Sequence, residues 1–176
     1  MNGTIPPSNP TGAFAPIDNY AKETAQQLID TIRRAPDELR KAVAELDGPQ
    51  LDARYKNWSV RQIVHHLADS HVHSYIRFKW ALTENHPTIK AYDEGVWVLL
   101  EDAQHGDVEP SLALFDGLHR KWAQLLSTMT QEQYSRTFLH PQTGETVDLW
   151  TALNYYRWHS RHHTGQILWL RQRHGW

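Results

Sequence analysis

DLWTALNYYRWHSRHHTGQILWLRQR, residues 148–173, carries Leu149, Ala152, Leu153, Tyr156, Ile167 and Leu170 at a helical spacing that puts them on one stripe. At about 100° per residue His159 and His163 fall within that stripe one turn apart, while His162 lies roughly 110° away. A buried neutral imidazole needs partners for both ring nitrogens, so two of them stacked on an apolar stripe are costly unless something bridges them. A divalent cation is such a bridge, because imidazoles at i and i+4 of a helix can converge on one ion. The stretch therefore predicts a long core-facing helix, from about Asp148 to Arg173, with chemistry on its buried side.

Outward from it the chain reads the same way. Ser59-Val-Arg-Gln62 is a capping box that opens a second helix running to about Thr83, with Val60, Ile63, Val64, Leu67 and Phe78 on its apolar stripe. Pro110 sits in the first turn of a third helix carrying Leu112, Leu114, Phe115, Leu118, Trp122, Leu125 and Leu126. Towards the N-terminus, Tyr20, Ala25, Leu28, Ile29 and Ile32 recur at helical spacing; Pro36 then interrupts the pattern before Leu39, Val43 and Leu46 resume it. A first helix in two pieces is expected. Residues 85–109 read as a long connection between the second and third helices with a helical turn or two. Thr130-Gln-Glu-Gln133 caps a short helix, and Gly144 sits in a turn between short extended segments. Residues 1–16 hold four of the nine prolines and read as an irregular arm, lying over the domain or mobile and outside the chemistry, while 17–176 form a single domain. Four long amphipathic segments with no convincing sheet predict an all-α bundle.

Composition narrows the function. With 40% hydrophobic and 22% charged residues the chain is of globular type, and a net charge of -2 without a basic run offers no electrostatic basis for binding nucleic acid or an anionic membrane. Cysteine is absent, which excludes disulfides, thiolate ligands and a protein-borne thiol nucleophile; sulfur chemistry would need a thiol co-substrate. Neither a basic-then-apolar leader nor an apolar run of roughly 18 residues is present, so a soluble cytoplasmic protein is expected.

A third metal ligand would come from a facing helix, and the second helix supplies HHLADSHVH, residues 65–73. His71 falls near the middle of the apolar stripe; His66 sits to one side of it with Ser70, His73 and Arg77. Periodicity alone does not choose His66 over His71, which reads equally as a hydrogen-bonded core histidine. His65 and His73 read as solvated.

NWSVRQIVHHLADSH (57–71), YIRFKWALTE (75–84), AYDEGVW (91–97), LHRKWAQLL (118–126), HPQTGET (140–146) and YRWHSRHHTGQI (156–167) together resemble the DinB/YfiT-like superfamily, and within it the YfiT branch. The resemblance runs in register from about residue 27 to Trp176. It implies an up-down-down-up four-helix bundle, a homodimer, and one divalent metal per chain on three histidines. Residue by residue it places the ligands at His66, the histidine before Leu-Ala, and at His159 and His163 of the HxxxHxGQ motif. Other branches have a carboxylate where His159 stands, so the all-imidazole set favours the YfiT branch and a zinc or nickel ion. Branch members are described both as metal-dependent hydrolases and as bacillithiol S-transferases.

Three neutral imidazoles leave a divalent ion its full charge and an open position, the pattern of a catalytic site. Such an ion can lower the pKa of a water for hydrolysis or favour the thiolate of a low-molecular-weight thiol for transfer to an electrophilic small molecule. Thiol transfer is the leading expectation and hydrolysis the alternative. A dimeric, non-enzymatic bundle that binds a small apolar ligand around a structural metal is the third. Around the ligands, Asp69 could orient an imidazole or act as base, or be an exposed carboxylate; Arg77 could bind a substrate carboxylate or form a surface ion pair; Tyr156 could donate to a bound anion or fill core. Gly165 is expected to allow close helix packing.

Overall fold

The structure, a computed structural model, describes residues 5–176; the first four residues of the expected arm lie outside the described residues. In chain order the elements are α1 (Lys22–Val43), α2 (Gly48–Leu51), β1 (Arg54–Tyr55), β2 (Trp58–Ser59), α3 (Val60–Thr83), α4 (Glu94–Trp97), α5 (Glu101–His105), α6 (Glu109–Thr128), α7 (Gln131–Tyr134), β3 (Thr137–His140), β4 (Glu145–Asp148) and α8 (Leu149–His174). Local chemistry sets the helix ends. Gln62 N–H donates to Ser59 Oγ at 3.1 Å and Ser59 N–H to Gln62 Oε1 at 2.9 Å, closing the box that starts α3. Asp148 caps α8 by accepting from Thr151 N–H at 2.6 Å, and Gly175, at φ 73°, ends it in the left-handed conformation that a residue with a Cβ adopts at a cost.

The four long helices form the bundle. α1 and α3 lie diagonally opposite, each packed against both α6 and α8. Two apolar clusters establish the direction of each helix. One joins Leu28 and Ile32 from the first half of α1, Phe78 from the end of α3, Trp122 from the second half of α6 and Leu153 from the start of α8. The other joins Leu39 from the end of α1, Val64 from the start of α3, Phe115 from the first half of α6 and Leu170 from the end of α8. α1 and α8 therefore run one way and α3 and α6 the other, an up-down-down-up four-helix bundle. Between the two clusters lies a buried polar layer that includes His66 and His71 of α3, His119 of α6 and His159 and His163 of α8.

Two expectations need correction. The first helix is one continuous element through Pro36, not two pieces. A proline removes the hydrogen bond to residue i−4, here Ile32, and costs about 3 kcal/mol in an isolated helix. In this bundle the Ile32 carbonyl is instead met from α6 by His119 Nδ1 at 2.6 Å, so tertiary contact supplies the missing donor. The short hairpin of β1 and β2, with Lys56 at φ 53° in its turn, had no signal in the sequence, because two-residue strands carry no readable alternation and the turn has no glycine. The short extended segments expected around Gly144, at φ 72°, are β3 and β4, and they pair antiparallel, which was not expected. Both hairpins are minor additions to a helical molecule. The described part of the arm is tied down: Tyr55 Oη donates to Pro7 O and Trp158 Nε1 to Gly12 O at 2.8 Å, and just beyond the arm Trp150 Nε1 donates to Ile17 O at 2.6 Å. No helix among the described residues is long and apolar enough to cross a membrane.

Because Ser59 is buried and supplies half of a closed capping box, Ser59→Ala is expected to lower unfolding stability by about 1 kcal/mol without altering the fold. Urea titration followed by far-ultraviolet circular dichroism measures it; a change below a few tenths would mean that α3 is held by packing alone.

Candidate metal centre

His159 and His163 occupy adjacent turns of α8 on its inner side, and His66 of α3 faces them, so that one ring nitrogen from each lies within 4.8 Å of the other two. All three side chains are buried. His66 Nε2 and His159 Nε2 stand 3.1 Å apart. Nitrogens on a tetrahedral zinc ion, each about 2.0–2.1 Å from the metal, are roughly 3.3 Å from one another. That pair already has the separation of two ligands of one ion, and the donor set fits a borderline metal.

The rings are also in the right protonation state. Burial lowers the pKa of His66 to about 4 and, with neighbouring imidazoles adding to the effect at these two, holds His159 and His163 well below the usual histidine value. Neutral rings have lone pairs to offer. His163 Nδ1 lies 2.9 Å from Gln166 Oε1, an atom that only accepts, so the proton is on Nδ1 and the lone pair on Nε2. Gln166 is held in that orientation by its own amide nitrogen, 2.9 Å from His162 Nε2. Gln166 was not singled out in the sequence, although its i, i+3 spacing from His163 was the available signal. His162, off the stripe by its wheel angle, is buried and supports this amide.

His71, the rival third ligand, is fully buried, and its Nε2 sits 3.2 Å from His159 Nδ1. It stands behind His159, on the ring edge away from His66, and is not one of the three. His65 and His73 are not solvated as expected. His65 is buried with Nδ1 2.8 Å from Ser111 Oγ, and His73 is half-buried against Tyr92, the rings stacked at 4.2 Å. Both lie under the long connection and the start of α6, cover that a wheel of α3 alone cannot register.

A cavity of about 1010 Å³ opens onto the three histidines. Trp58, Arg77, Tyr92, Tyr155, Tyr156 and Trp158 contribute to its wall, and so does Phe14 of the arm, which packs edge-on to Tyr155 at 5.4 Å. The arm, expected to lie outside the chemistry, is part of the cavity wall. Gly165 serves the arm too, and not helix packing: a Cβ there would come within 2.7 Å of Thr11 Cγ2. Among the other candidates, Arg77 and Tyr156 meet at the cavity, with Arg77 Nη1 donating to Tyr156 Oη at 3.2 Å. Arg77 Nε is buried without a partner and the guanidinium makes no ion pair among the described residues. Asp69 is half-buried and not among the cavity-lining residues; burial, with the charge of Asp102 adding, pushes its carboxyl up to about 6. His140, whose Nδ1 is also buried without a partner, lines the cavity and was missed as a candidate.

Burial makes stability depend on pH in a defined sense. His66 and His119 resist protonation down to about 4 in the folded metal-free protein but take up protons near 6.5 when unfolded. The unfolded state binds more protons in that window, so stability is complete above pH 6.5 and is lost as pH falls towards 4. At pH 5 each such ring is expected to cost about 2 kcal/mol. Thermal melts of chelator-treated protein at pH 7.5 and 5.0 read this directly, and unchanged stability would contradict it.

Residues 31–167 match the family model of the DinB superfamily. The chain is 45% identical over 171 residues, 96% of both chains, to a Bacillus subtilis (strain 168) protein named "Putative metal-dependent hydrolase YfiT". A Bacillus cereus (strain B4264) protein named as the same kind of hydrolase is 46% identical over 173 residues, 95% of this chain and 96% of the relative. The solved structure of the Bacillus subtilis protein, described as a probable metal-dependent hydrolase with an unusual four-helix bundle topology, superposes with a TM-score of 0.93 over 96% of this chain and 98% of that one.

Proposed function

The chain belongs to the DinB superfamily, and from that premise we propose that it is a divalent-metal-dependent enzyme acting on an electrophilic small molecule, with His66, His159 and His163 as the metal ligands. The observation that carries this reading is the convergence of three neutral, buried imidazoles on the wall of one large cavity. Imidazole donors suit zinc or nickel, and three protein ligands leave room for a reactant. When bound, the ion supplies positive charge that favours the deprotonated form of a nucleophile, hydroxide or thiolate.

The chain's own residues do the rest. His163, held by Gln166, keeps its lone pair on the inner nitrogen. Trp58 shields the ligands from solvent, its ring 4.6 Å from that of His66 and stacked on that of His163 at 6.0 Å. Arg77, with an unpartnered Nε and Tyr156 at its Nη1, offers donors to an anionic group on the substrate. The aromatic wall suits an apolar body beside that group.

For the nucleophile, the first reading is a low-molecular-weight thiol of the bacillithiol class. Its support is the lack of any cysteine in the chain, and a cavity of about 1010 Å³ that has space for a thiol and an electrophile together. Water is the second reading, favoured by the hydrolase names of the relatives. Purified protein loaded with zinc or nickel is tested for thiol consumption with carboxylate-bearing electrophiles, and for ester and amide cleavage without thiol. Thiol-dependent product lost in His159→Ala supports transfer; cleavage without thiol, lost in the same variant, supports hydrolysis. Turnover that persists in His159→Ala, or none with either class at full metal loading, overturns the enzyme reading and leaves a binding bundle with a structural metal. In the active case Arg77→Met is expected to raise KM about tenfold or more for anionic substrates and much less for neutral ones.

A further inference from the structure

Behind the metal ligands, away from the cavity, two more histidines are completely enclosed. His71 and His119 have no exposed surface and are not among the residues lining the cavity, and both nitrogens of each ring have a partner. The chain of contacts begins in α1. Pro36 has no N–H, so the Ile32 carbonyl lacks its helical donor and accepts from His119 Nδ1 at 2.6 Å. A carbonyl oxygen has no proton to give, so the proton of the neutral His119 ring is on Nδ1 and its Nε2 carries the lone pair. That Nε2 lies 2.9 Å from His71 Nδ1, which must therefore be the donor. His71 Nε2 is then a lone pair, 3.2 Å from His159 Nδ1, and His159 must donate in turn. His159 is left with its lone pair on Nε2, the nitrogen 3.1 Å from His66 Nε2.

We propose that His71 and His119 are positioning residues of the metal centre, a neutral relay running from the Ile32 carbonyl that Pro36 leaves free to His159, which holds the His159 lone pair on the metal-facing nitrogen. The proposal rests on the metal reading of the three histidines. Each of the four long helices contributes one member: Ile32 from α1, His119 from α6, His71 from α3 and His159 from α8. A metal-bound histidine is ordinarily oriented by a carboxylate, a backbone carbonyl or water directly on its other nitrogen. Here the carbonyl acts through two imidazoles, which delivers the same orientation across the full width of the bundle and adds no negative charge. An ion facing this relay keeps its whole charge for the reactant, where a carboxylate orienter would offset part of it. The direction of donation follows from the carbonyl at one end, because each neutral ring has one donor and one acceptor, and it ends at the ring that faces His66.

The test uses the full chain with nitrogen-15 histidine. Long-range proton–nitrogen spectra of the metal-free protein at pH 7.5 read which nitrogen of each ring is protonated. His119, His71 and His159 are expected as Nδ1–H. Zinc affinity, measured by competition with a chromophoric chelator, is expected to fall about ten- to hundredfold in His71→Leu, with His159 losing its Nδ1–H form. His71→Gln, whose amide can accept from His159 and donate to His119, is expected to restore both readouts. An Nε2–H form of His159 in the native chain overturns the proposal, and so does native zinc affinity in His71→Leu. If that variant does not fold, the native spectra decide. A native chain that takes up no zinc overturns the metal reading, and one that binds zinc with His159 protonated on Nε2 overturns the relay alone.

Discussion

A buried neutral imidazole has one proton to place and one lone pair to satisfy, and this bundle encloses five such rings in one layer between two apolar clusters. Left unpaired, each nitrogen would cost roughly 1–3 kcal/mol, so the layer is tolerable only if its members partner one another. The pairings His66 with His159, His159 with His71, and His71 with His119 satisfy most of these nitrogens, His163 pairs with Gln166, and the last nitrogen of His119 reaches a main-chain carbonyl. Helix positions are consequently held by more than apolar contact: α1, α3, α6 and α8 are registered against one another by atoms that tolerate little displacement.

The same constraint connects fold to chemistry. Apolar packing on both sides of the layer lowers the histidine pKa values and keeps the rings neutral, which is the state that ligates a cation. The up-down-down-up order brings α3 and α8 side by side, so that His66 meets the pair on α8. On the open side of the triad the wall combines aromatic rings with polar side chains, among them the Arg77 guanidinium, which makes no ion pair among the described residues. The arm contributes to that wall from outside the bundle, and Gly165 allows it to lie close.

Periodicity was informative where one helix face decides the outcome. The stripe on α8 placed His159 and His163 inside, and the Ser59–Gln62 box marked the start of α3 to the residue. Pro36 misled because its cost is a missing donor, and the donor that replaces it lies 83 positions away at His119. His65 and His73 misled for a related reason: the long connection covers a face of α3 that looks solvent-facing on a wheel. The third member of the histidine cluster was the hardest. His66 and His71 are both buried and both contact His159, but at opposite nitrogens, and no spacing within α3 distinguishes the two edges of a ring on another helix.

By itself the sequence determined the four helices, the two inward imidazoles on the last of them, the absence of any protein thiol and, through its motifs, the family. These are properties of local spacing and residue type, which survive without knowledge of what each face meets. Tertiary structure alone decided that α1 continues through Pro36, that His66 and not His71 clusters with His159 and His163, that the arm walls the cavity and that Asp69 does not. Each of these depends on which atom of one element faces which atom of another, and a hydrogen bond or a ligand set between distant helices has no period along the chain.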